Sequence, residues 1–173
     1  MSNVGPEGRS FLTIVNDDLH RLAAIAKKDR EDFFADHPDW SKHYKNRFIC
    51  SALCQGAGMH YVSPSSGVGI NDFDVYSFYS SNPNKRWYAK RLKQYDFGSP
   101  KFGQTIDRPM FIGRRVDILG RSLPDPVDCD PLTALQKYLA GGLSETARFL
   151  AMKGVVLIEP TSLLGTVVWP QNV

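Results

Sequence analysis

The spacing of hydrophobic and polar residues changes several times along the chain, and each change predicts a different element. From Asn16 onward, apolar residues recur at intervals of three and four, which is typical of a helix with one buried face. Pro38 interrupts this pattern, and aromatic residues then stand four apart from Trp40 to Phe48, which predicts a second helix. We therefore expect N-terminal helices within residues 11–48, preceded by about ten flexible residues.

The middle of the chain alternates between short apolar runs and segments rich in glycine, serine and proline. "INDFDVYSFYS" and "MFIGRRVDILG" are rich in β-branched and aromatic residues, which predicts two strands. "FICSALCQG" is apolar and ends at glycine, so it fits either a buried strand or the end of the second helix. Residues 49–120 are predicted to form the core of the protein.

The C-terminal part shows helix signals. Asp130 followed by Pro131 is a typical helix start, with the acid at the cap and proline in the first turn. Ser144 opens another predicted helix that runs through Lys153, whereas "GVVLIEP" fits either a helix or an extended segment. Residues 130–173 are therefore expected to be mainly helical. The order of helices, strands and helices predicts one α+β domain over residues 1–173, with a small mixed β-sheet packed by helices.

Composition narrows the class of protein only slightly. The 173 residues include 42% hydrophobic and 23% charged residues, ordinary values for a globular domain, and the formal net charge is only +3. Three cysteines exclude a complete disulfide framework and suggest a cytoplasmic protein. Cys50 and Cys54 lie near His60, but no second pair completes a metal site, so we expect small buried residues there. No apolar stretch is long enough to predict a signal peptide or membrane span.

Two aspartates lie inside the otherwise apolar run "GVGINDFDVYSF". Because side chains alternate along a strand, Asp72 and Asp74 share one face, with Cα atoms ~6–7 Å apart. Asp117 has a similar setting, since it projects from a predicted strand between Val116 and Ile118. If the two strands pair, the three carboxylates converge, and such a group can hold divalent cations of the kind that assist phosphoryl transfer.

A simpler interpretation competes with this one. Many D-x-D pairs are exposed strand faces or turn-forming acids that bind nothing. The apolar residues around Asp72, Asp74 and Asp117 favour a site over a merely solvated face. The other acidic cluster, Asp125 with Asp128 and Asp130, lies among prolines, and loop turns and a helix cap explain it more simply than a metal does.

Three segments between about residues 48 and 120 resemble the DNA polymerase β-like nucleotidyltransferases. The first segment, "LCQGAGMHY", matches a strand that ends in glycine before a short helix. The second, "GVGINDFDVYSF", matches D-h-D on a strand, and the third, "RRVDILG", matches h-D-h on another strand, where h is an apolar residue. The pattern is most similar to small bacterial members, including the AbiEii-type toxins. The resemblance implies a nucleotidyltransferase-like fold that transfers a nucleotidyl group from a nucleoside triphosphate to an RNA or protein acceptor.

The resemblance also implies roles for individual residues. Asp72 and Asp74 would bind two Mg²⁺ (or Mn²⁺) ions, and Asp117 would complete the second site and help to activate an acceptor hydroxyl. The segment Gly56, Ala57 and Gly58 would bind the triphosphate. Lys153 is either a further triphosphate ligand or a surface residue.

The first motif departs from the family pattern. The family normally places a glycine, serine or threonine where this chain has Ala57. The missing hydroxyl leaves open an alternative, a catalytically degenerate module of the same fold that binds nucleotide or protein without turnover.

Further partners are predicted on weaker patterns. "NKRWYAKRLKQY" interleaves basic and aromatic residues, which suits a single-stranded nucleic acid or a tRNA end, although a solvated helix with aromatics in the core is the simpler interpretation. Arg115 shares the predicted face of Asp117 and is either its charge partner or a phosphate ligand. The resemblance to toxins adds a cognate antitoxin as an expected partner.

Overall fold

The computed structural model describes residues 3–4, 9–64, 70–87, 93–99, 102–105 and 113–172, and outside 103–105 it describes their side chains from residue 12 onward. Within these ranges the helices are α1 (Asn16–Asp36), α2 (Pro38–Tyr44), α3 (Gln55–Val62), α4 (Pro131–Gly141) and α5 (Glu145–Leu150). None of these helices is long and apolar enough to cross a membrane.

The strands form two sheets. Their bounds are β1 (Asn3–Val4), β2 (Arg9–Phe11), β3 (Phe48–Cys54), β4 (Phe73–Ser80), β5 (Lys93–Asp96), β6 (Gly103–Thr105), β7 (Arg115–Leu123), β8 (Val155–Glu159) and β9 (Val167–Trp169). The larger sheet has the order β5-β7-β4-β3-β8-β9, and only its β4–β7 pair is parallel. A small antiparallel sheet has the order β1-β2-β6. The predicted α+β class with a mixed sheet is confirmed.

Helices cover both faces of the larger sheet. On one face, side chains such as Phe73, Val75 and Ile118 pack against the apolar stripe of α1. On the opposite face, Tyr76 and Phe78 belong to a second core that also contains apolar residues of α4 and α5. Because side chains alternate along each strand, the residues at even positions of β4 and odd positions of β7 belong to this second face.

The N-terminal helices follow the predicted pattern, with one difference at the end of the second helix. At the start of α1, Oδ2 of Asp18 accepts a hydrogen bond from the Val15 N–H at 2.8 Å. The second helix ends at Tyr44, because Phe48 already pairs with Tyr79 as the first residue of β3. "FICSALCQG" is thus a central strand of the larger sheet, paired on one side with β4 and on the other with β8.

The expectation of a helical C-terminal part was wrong beyond Leu150. Asp130 caps α4 as predicted, since its Oδ2 accepts from the Thr133 N–H at 3.1 Å. The run Val155–Ile158, however, lies in β8, between β3 and β9. Its alternate side chains bury into the two different cores, so all four are apolar and the period of two that marks a strand is absent.

Candidate metal centre

The parallel pairing of β4 and β7 brings the three predicted acids together. Asp74 and Asp117 are direct partners in the register of these strands, and Asp72 lies two residues earlier on the same side. One carboxylate oxygen of each of the three residues lies within 4.8 Å of the others. Within the described ranges, no other group of acidic, histidine or cysteine side chains gathers in this way.

Because the three carboxylates lie close together and are partly or fully buried, the state in which all of them are ionised is unfavourable. Asp117 is only 5% exposed, and its buried Oδ1 has no hydrogen-bond partner among the described residues. Burial raises the pKa of Asp117, while the charge of Arg115 opposes that rise. Burial, and then the charges of Asp72 and Asp117, raise the pKa of Asp74 to about 7. An orphaned, buried carboxylate oxygen beside two other carboxylates is an arrangement that a hard cation satisfies.

Arg115 neutralises part of this charge. It lies at the start of β7 on the same face as Asp117. Its Nη2 donates to Oδ2 of Asp72 at 2.7 Å and lies 3.3 Å from Oδ2 of Asp117. The predicted role of charge partner is thereby confirmed. Its neighbour Arg114 pairs instead with Asp96, at the edge of the sheet.

The start of α3 lies beside the acids. The last residue of β3, Cys54, is the register partner of Asp74, and α3 follows at once with Gln55. The first N–H groups of a helix have no acceptor within it and carry a partial positive charge. The predicted first motif therefore begins next to the carboxylates, where these N–H groups can receive a phosphate.

The three residues of this motif differ in their surroundings. A Cβ on Gly56 would meet nothing within 4 Å, so Gly56 borders open space. Ala57 is 2% exposed and packs in the core that the larger sheet forms with α1. A Cβ on Gly58 would lie 2.2 Å from the carbonyl oxygen of Gly154, so Gly58 is required for the close packing of α3 against the turn before β8.

That same turn carries Lys153. It lies beyond the end of α5 rather than within the helix, and its side chain is exposed. The Lys153 ammonium is close enough to lower the pKa of Asp74, although burial and the neighbouring acids outweigh it. The predicted phosphate ligand thus lies at the same end of the sheet as the three acids.

Two further residues of this face escaped the sequence analysis. Tyr76 follows Asp74 by two positions on β4, and Arg121 follows Asp117 by four on β7, so strand alternation alone could have placed them on the same face as the acids. The Gln55 side chain approaches the Tyr76 hydroxyl. Gln55 also has a φ of 58°, a strained conformation for a residue other than glycine, at the point where β3 gives way to α3.

The described part of the basic and aromatic segment is structural. Lys85 forms an ion pair with Asp39 and lies 4.4 Å from the centre of the Trp40 ring. Trp87 stacks on Tyr79 with the ring centres 4.5 Å apart. The expectation of aromatics in the core therefore holds for Trp87, which packs against the cluster of Phe33 and Tyr79. The described part of the segment is not helical, because Asn82 and Lys85 form a β-bridge and Lys93–Asp96 is strand β5. Residues 88–92 lie outside the described part of the chain.

Comparison with protein-family models, with curated proteins and with solved structures finds no match for this chain.

Proposed function

We propose that this protein is a metal-dependent nucleotidyltransferase that transfers a nucleotidyl group from a nucleoside triphosphate to an RNA or protein acceptor. The observation that carries this proposal is the convergence of three carboxylates from two parallel strands, with a buried oxygen of Asp117 left unpaired within the described structure. Oxygen-rich sites of this kind suit Mg²⁺ or Mn²⁺ and nucleotide phosphates. In this proposal the domain has the nucleotidyltransferase-like fold that the sequence resembles.

Each residue of the site has a part in the proposed reaction. Asp72, Asp74 and Asp117 hold Mg²⁺, which when bound supplies positive charge to the triphosphate. The N–H groups at the start of α3 and the Lys153 ammonium bind phosphate oxygens. The acceptor hydroxyl loses its proton to the carboxylate of Asp117 while its oxygen bonds to the α-phosphorus. The bond from that phosphorus to the oxygen that bridges it to the β-phosphorus breaks, and pyrophosphate leaves with that oxygen.

A second candidate function follows from Ala57. The chain has no hydroxyl at this position of the motif, and the Ala57 side chain is buried among apolar residues rather than presented at the acids. This favours the alternative of a module that binds nucleotide or protein without turnover. A cytoplasmic location and a cognate antitoxin stay predictions from the sequence and its resemblance.

Transfer of a labelled nucleotide separates the two functions. The protein is incubated with each of the four α-³²P-labelled nucleoside triphosphates, Mg²⁺ and either total RNA or a protein extract. We expect label in one acceptor fraction, and a loss of at least 100-fold in Asp74→Asn because an essential ligand and its charge are removed. The control is Asp128→Asn, which removes an exposed acid outside the site. Wild-type protein that transfers nothing from any nucleotide to either fraction would contradict the enzymatic function.

A further inference from the structure

A cavity of about 570 Å³ opens on the same sheet face as the acids. Its lining includes Tyr76 and Arg121 from the sheet, Thr146, Arg148 and Phe149 from α5, and Met152 from the following turn. The cavity combines aromatic, cationic and apolar groups, and none of the steps proposed above uses it. We call it the α5 groove.

The α5 groove lies on the sheet face that carries the metal centre, farther along the strands. At about 3.3 Å per residue, Tyr76 lies ~7 Å from Asp74 along β4, and Arg121 lies ~13 Å from Asp117 along β7. Met152 immediately precedes Lys153, whose charge reaches Asp74. A chain-like ligand that has its end at the acids can therefore extend along the groove.

Two nitrogens of the Arg121 guanidinium form hydrogen bonds within the described structure, and the third does not. Its Nε donates to Oγ1 of Thr146 at 3.2 Å, and its Nη1 donates to the carbonyl oxygen of Gly120 at 2.7 Å. The guanidinium carbon lies 5.6 Å from the centre of the Tyr76 ring. Nη2 has no hydrogen-bond partner among the residues that the structure describes. A fixed guanidinium with an open donor is well suited to a phosphate.

The outer wall of the groove is apolar and open. Phe149 is 50% exposed and Met152 is 75% exposed, and both belong to the few large apolar side chains with such exposure in the described ranges. Arg148, also exposed, lines the same cavity and donates to the Gly142 carbonyl oxygen at 2.7 Å. An exposed aromatic ring and a guanidinium in one groove are the combination that stacks a base and neutralises a neighbouring phosphate.

We propose that the α5 groove holds the 3′ end of a single-stranded RNA, the acceptor in the reaction proposed above, on which this inference rests. The terminal hydroxyl lies at the acids, a base stacks on Phe149, and Arg121 and Arg148 bind backbone phosphates. Glu145, which also lines the cavity, and the Thr146 hydroxyl supply an acceptor and a donor for ribose 2′-hydroxyls, which distinguish RNA from DNA.

The positions of the cations favour the acceptor over the donor nucleotide. In the proposed reaction the donor phosphates are bound at the start of α3 and by Lys153, so they leave Arg121 and Arg148 without a phosphate to bind. The backbone of a chain-like acceptor supplies further phosphates at the ~13 Å that separate Arg121 from Asp117 along β7. A protein partner is less well matched, because the two guanidiniums and the phosphoryl-transfer site suit a phosphodiester backbone.

The test measures RNA binding without turnover. A 12-nucleotide single-stranded RNA with a free 3′-hydroxyl and a 5′ fluorescein is titrated with the full chain in Mg²⁺ at fixed salt, and anisotropy gives the affinity. We expect Phe149→Ala to weaken binding at least fivefold, through loss of base stacking, and Arg148→Ala to weaken binding and reduce its salt dependence. The controls Val127→Ala and Lys42→Ala, which change exposed residues outside the groove, leave the affinity unchanged.

Three outcomes would overturn the inference. Equal losses in the groove and control variants would show non-specific binding, and DNA of the same sequence bound as tightly as RNA would exclude the role of the ribose hydroxyls. If Phe149→Ala weakens binding of a fluorescent nucleoside triphosphate and leaves RNA affinity intact, the groove serves the donor nucleotide. Failure of the proposed function is distinguishable, because wild-type protein would then show neither Mg²⁺ binding nor nucleotide transfer, whatever its affinity for RNA.

Discussion

Asp74→Asn is expected to stabilise the metal-free protein while it removes the response to Mg²⁺. Asp74 is largely buried beside two other carboxylates, and its pKa is raised to about 7. Above pH 7 the folded protein must hold this unfavourable charge, and an amide of the same shape removes it. We expect the free energy of unfolding to rise by ~2 kcal/mol, because the buried amide offsets part of the gain, and the melting temperature by ~5 °C.

The pH dependence of this gain has a defined sign. A carboxyl whose pKa is higher in the folded than in the unfolded protein takes up a proton on folding between about pH 4 and pH 7. Its contribution to stability therefore falls as the pH rises through that window. Thermal melts should show almost no advantage for Asp74→Asn near pH 4 and the full advantage above pH 7.

Added Mg²⁺ should reverse the order of the two proteins. A ligand at one hundred times its dissociation constant stabilises the folded state by about 2.7 kcal/mol, and only wild-type protein binds it in our account. Asp128→Asn, with the same loss of charge at an exposed position, should behave as wild type in both conditions. A metal-free Asp74→Asn protein that melts below wild type at pH 8 would show that Asp74 has a structural role instead.

Gly58→Ala is expected to destabilise the protein by about 3 kcal/mol, equivalent to a fall of ~10 °C in melting temperature. The new Cβ would lie 2.2 Å from the carbonyl oxygen of Gly154 and 2.9 Å from that of Leu53. Both contacts are to backbone, so no side-chain rotation relieves them. Either α3 or the turn that carries Lys153 must shift, and we therefore expect nucleotide affinity to fall together with stability.

Gly56→Ala is the matched control for this substitution. It makes the same chemical change two residues earlier on α3, where the added Cβ meets nothing within 4 Å. We expect it to change the free energy of unfolding by less than ~1 kcal/mol. Chemical denaturation of both variants measures the difference. Equal stability of the two variants would mean that α3 and β8 do not pack as closely as the structure shows.

The acidic cluster could be predicted because strand geometry is strictly local. Alternation alone places Asp72 and Asp74 on one face, and the apolar neighbours of Asp117 place it on a strand of similar kind. That these strands are neighbours, parallel and in register at Asp74 and Asp117 is a property of the whole sheet. From the sequence alone, the three acids converge only if these two strands pair, and the sequence does not show that they do.

Other features lay beyond the sequence for identifiable reasons. The four apolar residues of β8 face two cores at once, so neither helical nor strand periodicity is visible in them. The contact of Gly58 with Gly154 joins residues 96 positions apart, and no local sequence pattern predicts it. The α5 groove combines side chains from two strands, a helix and the turn that follows it, and the second core sets the packing of that helix on the strands.

Direct measurement of cation binding tests the central claim, that Asp72, Asp74 and Asp117 form a metal site. Mn²⁺ is titrated into the metal-free wild-type protein and into Asp74→Asn, and the free ion is followed by its electron paramagnetic resonance signal. Our account predicts that the wild-type protein lowers the signal of free Mn²⁺ until its sites are saturated, and that excess Mg²⁺ restores the signal. With Asp74→Asn, we expect neither the loss of signal nor an effect of Mg²⁺. Identical titrations of the two proteins would contradict the account.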